Sequence, residues 1–194
     1  LFVCVCLFVC LFLKLVNSSF LCVLNCSLVF GWSLFFSDFW KHIISMFNQC
    51  SPIHTCSFHF HKRIETGRAP TVKTAAHLMR RLCYENKDNL MAGVIVGGWD
   101  PVEKGSVYNI PLGGTCIKMP FAIGGSGSTY IYGLIDSLYK EGMGEEETLA
   151  MVKKSISHAM ARDGSSGGVI RTVVVKESGN TREYIPGNAL PFGP

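Results

Sequence analysis

Polar and apolar positions divide this chain into two unlike parts. Leu1 to Leu13 is wholly apolar, and beyond Lys14 the chain stays mostly apolar to Trp40. From Ile64 onward, hydrophobic positions recur with helix and strand periods. Thr71 to Asp88, which follows Pro70, puts Val72, Ala76, Met79 and Cys83 on one face at helical spacing and predicts a helix laid on a sheet. Met91 to Val96 is a continuous apolar run closed by Gly97-Gly98, the pattern of a strand covered on both faces. Trp99 to Gly105 reads as a polar turn. Ser106 to Ile110 and Thr115 to Met119 read as successive antiparallel strands broken at Pro111 and Gly113-Gly114. Thr129 to Tyr139 is short and amphipathic. In Glu145 to Arg162, Leu149, Val152, Ile156 and Ala159 or Met160 recur at three and four, and Glu145, Glu146 and Glu147 open the helix where negative charge complements its dipole. Val169 to Lys176 and Thr181 to Ile185 form a hairpin around Ser178-Gly179-Asn180, and Pro186, Pro191 and Pro194 mark an irregular tail. The order predicts a layered α+β domain in which helices cover antiparallel sheet.

Composition sharpens the division. With 194 residues, 48% hydrophobic and 16% charged, the chain is long enough for one domain with its own core. Yet residues 1–60 hold seven of the nine cysteines, eleven of the thirteen phenylalanines and only three formal charges, Lys14, Asp38 and Lys41. The hydropathy of this leader suggests a signal peptide or a membrane span. Against that, no methionine or basic region precedes the apolar run, Asn17-Ser18-Ser19 interrupts it, and its Phe, Leu, Cys, Val and Ser vocabulary is that of translated T-rich non-coding DNA. The expectation is therefore that residues 1–63 are spurious translation and residues 64–194 the C-terminal part of a domain, without membrane attachment. Nothing in the leader's pattern matches the alternation that sheet pairing requires, so it is not expected to pair with the strands of the domain.

A net charge of +4 falls short of the clustered basic surface of a nucleic-acid-binding protein, so no nucleic-acid partner is expected. Arg80-Arg81 and Lys153-Lys154 read as solvated helix faces. Cys4, Cys6, Cys10, Cys22 and Cys26 lie among apolar residues with none of the paired spacings of a zinc site, and Cys83 and Cys116 suit small core residues of a reducing compartment. Neither a metal nor a cofactor is expected. His54, His59 and His61 are isolated in an irregular stretch and carry no argument.

Two glycine-serine turns remain, Gly124-Gly-Ser-Gly-Ser128 and Arg162-Asp-Gly-Ser-Ser-Gly-Gly168. They flank a pair of amphipathic helices, and their hydroxyls and one carboxylate are placed to converge at the mouth of a sheet. The first lacks the Lys-Ser/Thr of a phosphate loop. Together with Leu90-Met-Ala-Gly-Val-Ile-Val-Gly-Gly-Trp-Asp100, Phe121 to Gly133 and Ala161 to Ile170, they make residues 64–190 resemble the β subunits of the eukaryotic proteasome core particle, β1-type (caspase-like) branch. The resemblance implies the N-terminal-nucleophile hydrolase fold, an αββα sandwich, here truncated because the first strands and first helix have no counterpart before Ile64. It implies a threonine endopeptidase of ubiquitin-dependent degradation that cleaves after acidic residues, found in cytoplasm and nucleus among other β subunits and an α ring. In that family the nucleophile is an N-terminal threonine whose own α-amino group serves as base.

What the resemblance carries over is a supporting set: Ser126 matches the serine beside the threonine amine, and Asp163 and Ser166 match the residues completing that network. No catalytic residue carries over, because the nucleophile is missing, and the chain is expected to be inactive. Thr115 follows a glycine, as family nucleophiles do, but cleavage at that point would split the sheet. The alternative is a non-catalytic structural or membrane-tethered interaction protein on the same fold.

Overall fold

The computed structural model describes residues 70–88 and 92–190, with the strand backbones of residues 2–5, 9–14 and 20–25. Residues 1–27 and 72–194 belong to one compact unit; of the second, 28–71, only Pro70 and Thr71 are described. Strands β1 (Phe2–Val5), β2 (Val9–Lys14) and β3 (Phe20–Asn25) precede helix α1 (Val72–Glu85). Strands β4 (Val94–Asp100), β5 (Lys104–Ile110), β6 (Ile117–Met119) and β7 (Phe121–Gly124) lead into a 3-10 turn, Ser126–Tyr130, and then α2 (Tyr132–Leu138) and α3 (Glu145–Arg162). Strands β8 (Val169–Lys176) and β9 (Gly179–Pro186) and a short turn, Gly187–Ala189, complete the described chain.

The strands form two antiparallel sheets, β1-β4-β5-β6 and β7-β2-β3-β8-β9. They face one another through β4 and β5 on one side and β7, β2, β3 and β8 on the other. α1 covers the four-stranded sheet, and α2 and α3 cover the five-stranded one. The α+β sandwich expected from the sequence is thus present, with a helix layer outside each sheet.

Three differences from the sequence reading have identifiable causes. The expectation that the leader could not pair fails: Val3 stands opposite Val96, Leu11 opposite Ile123, and Cys22 opposite Val173. Strand pairing uses main-chain groups, and a strand between two layers calls for a continuous apolar run rather than alternation. Strand β4 does not stop at Gly97-Gly98 but continues to Asp100, because both glycines stay in register with Val107 and Ser106. Phe121–Gly124, to which the sequence pattern assigns no strand and whose last residue it places in the glycine-serine turn, is strand β7, paired with Cys10 to Leu13 of β2.

The main core lies between α3 and the five-stranded sheet, where Ile131, Ile135, Val152, Ile156 and Ile170 are fully buried. Glu145 to Arg162 is helical over the range its spacing predicts. Lys176 at the end of β8 pairs with Glu145 in the first turn of α3 at 2.6 Å, tying helix start to strand end. Met91 and the histidines of residues 54–61 lie outside the described residues.

Candidate functional site

The second glycine-serine turn begins where α3 ends. The Asp163 backbone leaves the helix for an extended conformation at φ −98°, ψ 108°, while its amide still donates to the Ala159 carbonyl at 2.8 Å. Its Oδ1 accepts the Ser165 amide at 3.1 Å, an Asx turn, and its main-chain carbonyl accepts the Ser166 amide at 3.0 Å. The chain is thereby folded so that the Ser166 hydroxyl donates to Asp163 Oδ2.

The first turn arrives from the other side of the two helices. Strand β7 ends at Gly124, and Gly125, at φ +99°, occupies backbone space that side-chain-bearing residues rarely adopt. The 3-10 turn after it is closed by Ser128, whose amide and hydroxyl both donate to the Gly125 carbonyl, at 3.1 and 2.7 Å. The Tyr132 hydroxyl donates to the Ile123 carbonyl at 3.2 Å and fixes α2 on β7. This places the Ser126 hydroxyl 2.7 Å from Asp163 Oδ2, a contact across 37 positions of sequence.

Ser126, Asp163 and Ser166 are therefore joined in one network, with the carboxylate at its centre. Asp163 and Ser166 are buried and Ser126 is exposed, so the network opens to solvent on the Ser126 side. Burial pushes the Asp163 carboxyl upward, but the hydrogen bonds from Ser166, Ser126 and the Ser165 amide together outweigh it and hold the group below the usual carboxylate range. The carboxylate is charged at neutral pH and has little affinity for a proton. Neither serine hydroxyl donates to a group able to take its proton, so the arrangement orients and holds negative charge rather than generating a nucleophile.

The Ser165 amide is the contributor that sequence reasoning missed, although Asp-Gly-Ser is itself an Asx-turn signal. Thr115 lies exposed in the loop between β5 and β6. Burial pushes the Cys83 and Cys116 thiols up, which makes both poor nucleophiles. Among the described residues, no three His, Cys, Asp or Glu side chains converge to hold a metal, and no helix is long and apolar enough to cross a membrane.

A family described as "Proteasome subunit" matches residues 57–175, more than half of the chain, beginning ahead of Ile64. The chain is 60% identical over 122 residues to proteasome subunit beta type-6 of Dictyostelium discoideum, covering 63% of this chain and 57% of that protein. It is 52% identical over 125 residues to proteasome subunit beta type-1 of Saccharomyces cerevisiae, 63% of this chain and 58% of the other. Against human proteasome subunit beta type-9 the identity is 47% over 128 residues, 66% and 58% of the two chains. The chain thus spans little more than half the length of these relatives.

Proposed function

This chain belongs to the proteasome subunit family and has its N-terminal-nucleophile hydrolase fold, and we propose that it is a β1-type subunit domain of the proteasome core particle. In this reading Ser126, Asp163 and Ser166 support an N-terminal threonine that this polypeptide does not itself present. The observation that carries the proposal is the meeting of both glycine-serine turns on one buried carboxylate. A charged Asp163 held by three donors offers a fixed negative potential beside Ser126. That potential stabilises the cationic form of an adjacent α-amine, which in turn exchanges protons with a threonine hydroxyl.

The parent activity is threonine endopeptidase action after acidic residues, within ubiquitin-dependent degradation in cytoplasm and nucleus. Its partners are other β subunits, the α ring and peptide substrates. The polypeptide as written is proposed to lack peptidase activity, since supporting residues alone supply neither nucleophile nor base. The test is to express the tagged full chain in cells and separate core particles by native electrophoresis and mass spectrometry. The proposal expects the chain within particles that contain α and β subunits. Recovery only in membrane fractions, or only free of other subunits, would favour the interaction-protein alternative.

A further inference from the structure

At the margin of the five-stranded sheet, the β8-β9 hairpin presents two different faces. Ile170 opposite Ile185 and Val174 opposite Thr181 look towards α3, and Ile170 and Val174 belong to the core there. The other face carries Arg171 opposite Tyr184 and Arg182 opposite Val173. Val173 is covered, but Arg171, Arg182 and Tyr184 are exposed, Tyr184 to 58%. The Arg171 guanidinium lies 5.9 Å from the centre of the Tyr184 ring. Arg182 is the diagonal neighbour of Arg171 across the ladder, a separation of roughly 7–8 Å between backbones.

Nothing among the described residues neutralises these two charges. The acid nearest in sequence, Glu183, points to the opposite face and pairs with Lys153 at 2.8 Å. Among the described residues β9 is also the last strand of its sheet, so its outer edge retains unpaired main-chain donors and acceptors. Charged side chains on an edge strand ordinarily oppose pairing with another chain, and here both charges on this face are positive, so the edge rejects basic or uncompensated strands and accepts one that brings carboxylates opposite the guanidinium groups.

We infer that the β9 edge with Arg171, Arg182 and Tyr184 is a docking surface for an extended acidic polypeptide segment of a partner, distinct from the Ser126–Asp163–Ser166 network. The segment adds to β9 as a further strand, and carboxylates at alternate positions reach the two guanidinium groups while its backbone lies along Tyr184. Nucleic acid fits less well, because a sugar-phosphate backbone cannot use the strand edge and two arginines neutralise few phosphates.

The test is a fluorescence-anisotropy titration of the full chain with a labelled decapeptide of alternating glutamate and valine. Its controls are the same peptide with lysine for glutamate and a single-stranded oligonucleotide. Binding of the acidic peptide should weaken with salt and fall about tenfold or more in Arg171→Glu/Arg182→Glu, as the loss of charge-assisted hydrogen bonds requires. Lys87→Glu, exposed just past the end of α1, the helix over the four-stranded sheet, should bind unchanged. If the double variant does not fold, Tyr184→Ala, a change at an exposed ring, should still weaken binding. Equal binding of the two peptides, tighter binding of the oligonucleotide, or indifference to the substitution in the folded variant would overturn the inference.

Discussion

Single residues fix the site and its surroundings through main-chain contacts. Asp163 is held below its unfolded pKa, about 3.9, so it stabilises the fold fully above that pH, and the contribution is lost as pH falls through its folded value. Acid titration followed by circular dichroism should show Asp163→Asn less stable at neutral pH but with a shallower acid limb than the parent. A parallel acid limb would mean that Asp163 is not the group being titrated. Gly114 illustrates a steric constraint: it sits at φ +81°, and a Cβ there would stand 2.8 Å from Tyr84 Cβ. Gly114→Ala should cost about 1–3 kcal/mol in urea unfolding through backbone strain and the clash with α1. Ser106 is the opposite case, a buried hydroxyl without a hydrogen-bond partner. Ser106→Ala should leave stability within about 0.5 kcal/mol or raise it, because no bond is lost and an unmet desolvation cost is removed.

Between elements, Asp100 joins three pieces of chain. Its Oδ2 accepts the amide of Val72 at the start of α1 at 2.9 Å, and its Oδ1 accepts the Val102 and Glu103 amides of the β4-β5 turn at 2.9 and 2.7 Å. Asp100→Ala should destabilise by about 1–3 kcal/mol in thermal or urea melts, since three buried or half-buried amides lose their acceptor. The sequence did not reveal this role, because the link to Val72 crosses 28 positions and leaves no local pattern. What the sequence made legible was periodic: α3 and β8 follow their spacing, as does α1 to within a few residues. The short strand β7 was missed because four residues ending in glycine carry too little pattern, and its partner strand is distant in sequence. The site was legible differently. Ser126, Asp163 and Ser166 were found through a resemblance between long words, whereas their hydrogen bonding needed both helices to be folded between them.

At the scale of the whole molecule, the N-terminal strands complete both sheets. β1 pairs with β4, and β2 and β3 stand between β7 and β8. Excising residues 64–194 therefore leaves edges on β4, β7 and β8, which recruit other chains. That fragment should be insoluble or melt broadly, and a monomer with a sharp cooperative transition would contradict this. Main-chain pairing accepts many extended apolar sequences and so says nothing of the leader's origin; the family match begins at residue 57, and we retain the proposal of a non-coding origin for the segment ahead of it. Sequencing the transcript across the codons for residues 50–75 decides it. We propose that this chain carries the support of a threonine-peptidase site without its nucleophile, and the most direct measurement is hydrolysis of a fluorogenic peptide after Glu or Asp by the purified full chain. The predicted result is no turnover above the enzyme-free blank. Turnover that disappears on Ser126→Ala or Thr115→Ala would contradict the claim.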